Sequence, residues 1–138
     1  MEIGQHKTPV PPQPGDRMLD GTVFAGSLNG KDLYATPADA PLTYTFNEAA
    51  EYAQKLNREK YLGHDDWRVP TKAELSLLFK HRAAIAGFNA IDYPSATRYW
   101  SGSSYDDKEA WALPCGSGGF DWYYRFPTSC PSRVRCVR

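Results

Sequence analysis

Asp66-Trp67-Arg68-Val69-Pro70-Thr71-Lys72-Ala73-Glu74-Leu75 is the stretch on which the reading of this chain turns. Pro70 disfavours helix upstream of it. Thr71 and Glu74 have the spacing of a capping box, in which each side chain satisfies a backbone donor left free at a helix start. Leu75, Leu78 and Phe79 then fall on one helical face, with Leu77 beside them and Gly87 at the exit. The spacing predicts a helix over residues 71–84. Ahead of it, Trp67 reads as a core residue. Arg68 and Glu74 are placed to form a buried or half-buried ion pair that fixes the loop. The alternative is a solvated pair worth under about 1 kcal/mol.

Working toward the N-terminus, a second capping box at Thr45 and Glu48 starts another helix. Its apolar stripe is Ala49, Tyr52, Ala53 and Leu56, and it ends within Asn57 to His64, with Gly63 as a stop. A proline-bounded loop, Thr36 to Pro41, precedes it. Before that, Thr22-Val23-Phe24-Ala25 and Leu33-Tyr34-Ala35 are strand-like runs joined through Asn29-Gly30, a strong hairpin signal. Residues 1–17, with Pro9, Pro11, Pro12 and Pro14, read as an extended proline-rich arm, and residues 18–138 as one domain.

Toward the C-terminus the texture changes. Tyr99-Trp100, Ala110 to Leu113, Phe120 to Phe126 and Val134 to Val137 are short strands separated by Gly, Ser, Asp and Pro turns. Trp100 and Trp111 read, like Trp67, as core residues, because tryptophans in short strands bury the interface between sheet and helices. Cys136 alternates with Arg135 and Val137 and reads as a small buried hydrophobe. The order of elements is α+β: two helices packed on short twisted antiparallel sheets.

The stretch 66–75, together with Tyr99-Trp100-Ser101-Gly102-Ser103, Ala110-Trp111 and the closing Val134-Arg135-Cys136-Val137-Arg138, resembles the Lcl C-terminal-domain family of bacterial and phage proteins. The resemblance spans roughly residues 18–138. It implies a C-type-lectin-like fold whose N- and C-terminal strands pair, and a ligand face on the C-terminal strands and their loops. It also implies kinship with proteins diversified by retroelements. Calcium-dependent sugar binding is not expected, since Glu-Pro-Asn, Gln-Pro-Asp and Trp-Asn-Asp motifs are absent. The fold family includes copper-dependent formylglycine-generating oxidases, which share the Arg-Val-Pro-Thr-x-Ala-Glu element. Cys130 and Cys136 are spaced one residue too far apart for that branch, and its flanking elements are missing.

Composition narrows the function classes. The chain has 138 residues, of which 16 are basic and 16 acidic. A neutral balance argues against a nucleic-acid partner. No apolar run approaches the roughly 20 residues of a membrane span. Met1 to Asp16 lacks the apolar core of a signal peptide, so the expected location is cytoplasmic unless the chain is exported by another route or phage-borne. Leu, Ile, Val and Phe number only 24, but four Trp and nine Tyr make up the buried area. Cys115, Cys130 and Cys136 fit neither a zinc site nor a disulfide scaffold; they read as reduced and mostly buried, with one bridge possible on export.

Catalytic signals are thin. His64 precedes Asp65-Asp66 in a loop that is a poor calcium site, and His81 reads as a solvent-exposed residue favourable to the helix dipole. No cofactor and no enzymatic activity are expected. The last third has paratope composition instead: rigid amphipathic rings with small polar residues. Its candidate ligand residues are Ser103, Tyr105, Asp106, Asp107, Lys108, Ser117, Asp121, Trp122, Tyr123, Tyr124 and Arg125. Alternation with Phe120, Trp122, Tyr124 and Phe126 inward leaves Asp121, Tyr123 and Arg125 outward. The bland alternative is that these aromatics fill a core short of aliphatics. The function expected is a non-enzymatic binder of a protein or cell-surface ligand; the alternatives are a structural domain of a larger bacterial or phage assembly and, behind it, a copper-dependent oxidase of the formylglycine-generating type. The oligomeric state stays open.

Overall fold

Asn29 and Gly30 both lie at positive φ, 53° and 79°, the conformation a two-residue hairpin turn demands. They join β1 (Val23–Leu28) to β2 (Lys31–Ala35), an antiparallel pair with a bulge at Phe24/Gly26. Gly26 has a φ of 122°, and a Cβ there would press on the Leu77 side chain. The bulge therefore lets the next layer approach the strand closely. The computed structural model describes residues 10–88, 98–114 and 124–138. Within the stretch expected as an arm, Gly15 and Asp16 exchange backbone hydrogen bonds with Phe24, and Gly15 packs on Ala84. The chain thus meets the body before Met18.

Both capping boxes are formed. Thr45 and Glu48 start α1 (Phe46–Arg58), and Thr71 and Glu74 start α2 (Lys72–Lys80). The helix expected over 71–84 is broken at His81 (φ −107°, ψ 19°), which separates α2 from a single turn, α3 (Arg82–Ile85). His81 is half-buried at that break rather than solvent-exposed. The C-terminal strands β3 (Arg98–Ser104), β4 (Glu109–Pro114) and β5 (Tyr124–Pro127) form a separate three-stranded antiparallel sheet. The architecture is α+β, with three α-helices and two small antiparallel sheets among the described residues.

Where β3 pairs with β4, the stretch Tyr99-Trp100 opposite Ala112-Leu113 is buried on both faces. Tyr99 and Leu113, paired in register, join Leu75, Leu78 and Phe79 of α2 and the hairpin's Val23 and Leu33. Their neighbours Trp100 and Ala112 face the other way, onto Ala49, Ala53 and Leu56 of α1 and onto Trp67. The closing segment 134–138 serves both cores. Val137 is bridged to Ala35 on one side and Arg68 on the other, and Arg138 exchanges backbone hydrogen bonds with Tyr34. Val134, Arg135, Cys136 and Val137 are all buried. An alternation that turns Arg135 away from Cys136 is correct in direction, yet it does not bring Arg135 to solvent, because a second core waits there.

Among the contacts that fasten the loops around these cores are two Arg–carboxylate pairs and a His–Asp hydrogen bond. Arg68 holds Glu74 with both guanidinium arms, the expected pair, with Glu74 the more buried partner. Asp66 takes Arg138 at 2.7 Å, and Asp20 meets the His64 ring at 2.7 Å. The hydrogen bond from His64, aided by Thr22, holds Asp20 at about 2, below its ordinary 3.8. The Arg138 hydrogen bond likewise lowers Asp66. A depressed folded-state value contributes stability above the unfolded value and loses it as pH falls through the folded one. Stability is therefore expected to hold above pH 4 and to decline between about pH 4 and pH 2. Urea midpoints measured across that range check this, and Asp20→Asn together with Asp66→Asn should flatten the decline.

Candidate functional site

In the β4–β5 register Trp111 stands opposite Arg125, while Ala110 and Ala112 stand opposite Phe126 and Tyr124. The two alanines are fully buried, so Trp111 and Arg125 project from the other face. Trp111 is half-buried, which corrects the expectation of a core residue. Its own neighbours account for this: with alanines on both sides, period two sends the large ring outward.

Four side chains interlock on that face. The Arg125 guanidinium lies 4.2 Å over the Tyr105 ring, and Tyr105 meets Trp111 edge-on at 5.8 Å and 90°. Lys72, from the first turn of α2, sits 4.2 Å over the Trp111 ring. The order is cation, ring, ring, cation. Each cation–ring contact is worth about 0.5–1 kcal/mol at an exposed site and limits the rotamers of a ring that still faces solvent. Tyr105 keeps 52 % of its surface accessible.

The turn that carries Tyr105 is braced from within. One Asp106 carboxylate oxygen accepts from the Lys108 and Glu109 amides, both at 2.8 Å. The Tyr105 amide donates to Glu109 O, and Lys108 O accepts from the Thr128 amide, tying the turn to the region after β5. Asp106 thus shapes the turn, whereas Asp107 and the Lys108 side chain are exposed. Behind it, the buried Ser101 hydroxyl donates to Trp111 O and accepts from the half-buried Ser103 amide. Tyr124 is 43 % exposed at the edge of the sheet, so it does not point into the core, because the core ends at Phe126. Ser117, Asp121, Trp122 and Tyr123 lie outside the described residues, as do Cys115 and Phe120.

Of the candidate residues, the structure brings Tyr105 and Arg125 together. It adds Trp111 and Lys72, which the sequence reading missed. Strict alternation through Ala110-Trp111-Ala112 is the signal that would have found Trp111. Lys72 arrives from 39 positions earlier by tertiary packing alone.

Among the described residues no three His, Cys, Asp or Glu side chains gather to hold a metal ion. Cys130 and Cys136 carry free thiols, and burial pushes the Cys136 thiol up to about 12. A cleft of roughly 360 Å³ opens between α1 and the Trp67–Val69 loop. It lies at the small end of ligand pockets. Its charged wall residue, Arg68, is engaged by Glu74. No helix among the described residues is long and apolar enough to cross a membrane.

A family model described as the Lcl C-terminal domain matches residues 27–138, the greater part of the chain and all of the strands and helices from the end of β1 onward. No curated protein matches the chain.

Proposed function

The chain belongs to the Lcl C-terminal domain family, with a C-type-lectin-like α+β fold, and from that premise we propose that it is a non-enzymatic binding module. Its ligand face is centred on Tyr105, Trp111 and Arg125, with Lys72 at one border and Asp107 and Lys108 at the other. One observation carries this reading: the cation–ring–ring–cation ladder on the outer face of β4 and β5. Rings held in one arrangement before contact lose little side-chain entropy on binding, which is what makes aromatic anchors effective. The face is open and broad, which suits a protein or cell-surface molecule better than a small metabolite. Tyr124, paired with Ala112, lies on the other side of β5 and is left outside this face.

Retroelement diversification is a finer version of the reading. It holds that residues 103–108 and 117–125 differ between otherwise matching copies, and a reverse-transcriptase gene with a near-copy repeat beside the locus decides it.

The test of the face begins with isolating a partner on the immobilised full chain. Tyr105→Ala, Trp111→Ala and Arg125→Ala are then titrated against it, with circular dichroism confirming each fold. Truncating an interface anchor typically costs about 2 kcal/mol, so each variant should bind roughly 30-fold more weakly. Wild-type affinity in all three variants overturns the proposal and leaves the aromatics as scaffold.

A further inference from the structure

On the opposite side of the molecule, α1 turns a charged stripe to solvent beside an apolar groove. Leu42 is 65 % exposed there, next to Pro41, and the half-buried rings of Tyr44 and Tyr52 pack 5.3 Å apart to form the groove's wall. The groove amounts to roughly 580 Å³. Along its other wall the charges are segregated: Glu48 and Glu51 come first, Lys55 and Arg58 follow. All four lie on one helical face by their spacing of three and four.

We infer that this face docks a second copy of the chain, with the two α1 helices antiparallel across a two-fold axis at the level of residue 53. The register carries the inference. Position 53 is midway between Glu48 and Arg58, and it is also midway between Glu51 and Lys55. A single two-fold axis therefore sets Glu48 against the second copy's arginine and Glu51 against its lysine, twice each, with no residue left facing its like. An isologous interface requires this self-complementarity. The helix dipole favours acids first and bases last, and the three-four-three spacing of one helical face gives the common midpoint, so the charges are self-complementary by construction. Neither accounts for an exposed leucine beside paired tyrosines. Among the described residues Glu51 and Arg58 take part in no ion pair, and Lys55 holds Glu59 only through a solvent-exposed contact at 3.1 Å. Such a contact is easily exchanged.

The experiment is sedimentation equilibrium on the full chain at high micromolar concentration and low salt. A monomer–dimer equilibrium is expected, weakening as salt is raised. Glu51→Lys and Lys55→Glu, taken singly, each set like charges together twice and should weaken dimerisation by about tenfold or more. Mixing the two variants restores opposite charges at both contacts, as does combining both substitutions in one chain. Either should recover wild-type association. A wild type that stays monomeric, an assembly other than a dimer, or single variants that dimerise like wild type overturns the inference. So does a charge swap that fails to rescue.

Discussion

Arg135→Ala is expected to lower the free energy of unfolding by about 3–5 kcal/mol, the range found when one partner of a buried ion pair is removed. The side chain is fully buried. Its Nε donates to Thr36 O at 2.8 Å and its Nη1 to Ala86 O at 3.0 Å, with Asp39 at 3.7 Å and the Phe88 ring 4.5 Å beneath. One guanidinium therefore joins the end of β2, the turn after α3 and the closing segment. Alanine leaves a cavity, two carbonyls without their donor and a buried carboxylate without its cation. Arg135→Lys keeps the charge but cannot reach in three directions, and it should recover part of the loss only. Small domains have about 5–15 kcal/mol in total, so the alanine variant should sit near its unfolding midpoint in mild urea. Urea melts analysed with a common slope measure the difference. A loss below about 1 kcal/mol would show that the guanidinium is no more than filler.

Removal of residues 134–138 should abolish cooperative unfolding altogether. Val134, Arg135, Cys136 and Val137 leave the two cores at once. Six backbone hydrogen bonds go with them: those between Tyr34 and Arg138 and between Arg68 and Val137, two each, and those from Thr36 to Cys136 and from Ala40 to Val134. The expected product is a chain with a sloping, featureless thermal profile and collapsed near-ultraviolet dichroism. An unchanged melting transition would contradict the arrangement described for the closing segment. Val137→Asp offers a gentler check, since it leaves the chain at full length and buries one unpaired charge between Ala35 and Arg68.

The sequence carries much of this fold in local signals. Thr45/Glu48 and Thr71/Glu74 set the helix starts to the residue, because a capping box satisfies backbone donors wherever it occurs. Asn29-Gly30 marks its hairpin for an equally local reason, a demand for positive φ. The break at His81 has no such mark, for no proline or glycine stands there. It belongs to the packing of α3, where Gly15 lies against Ala84 and the Arg82 guanidinium donates to Phe79 O. The ligand face is half legible. Tyr105 and Arg125 announce themselves by composition, whereas Trp111 resembles a core residue until its alanine neighbours are seen to be buried. Lys72 belongs to the site only through the way α2 meets the sheet.

The closing segment also sets the pace at which the molecule assembles. The Arg135–Thr36 contact spans 99 positions, and both cores wait on contacts of that kind. Bringing such distant residues together costs about 4 kcal/mol in loop-closure entropy before any packing repays it. The hairpin and α1 can flicker into shape early, since their contacts are local. Neither can be held until the segment arrives between β2 and Arg68. Folding should therefore be slow for a chain of this length, on the millisecond-to-second scale of domains dominated by distant pairings. Its rate should be most sensitive to whatever restrains the two ends of the chain.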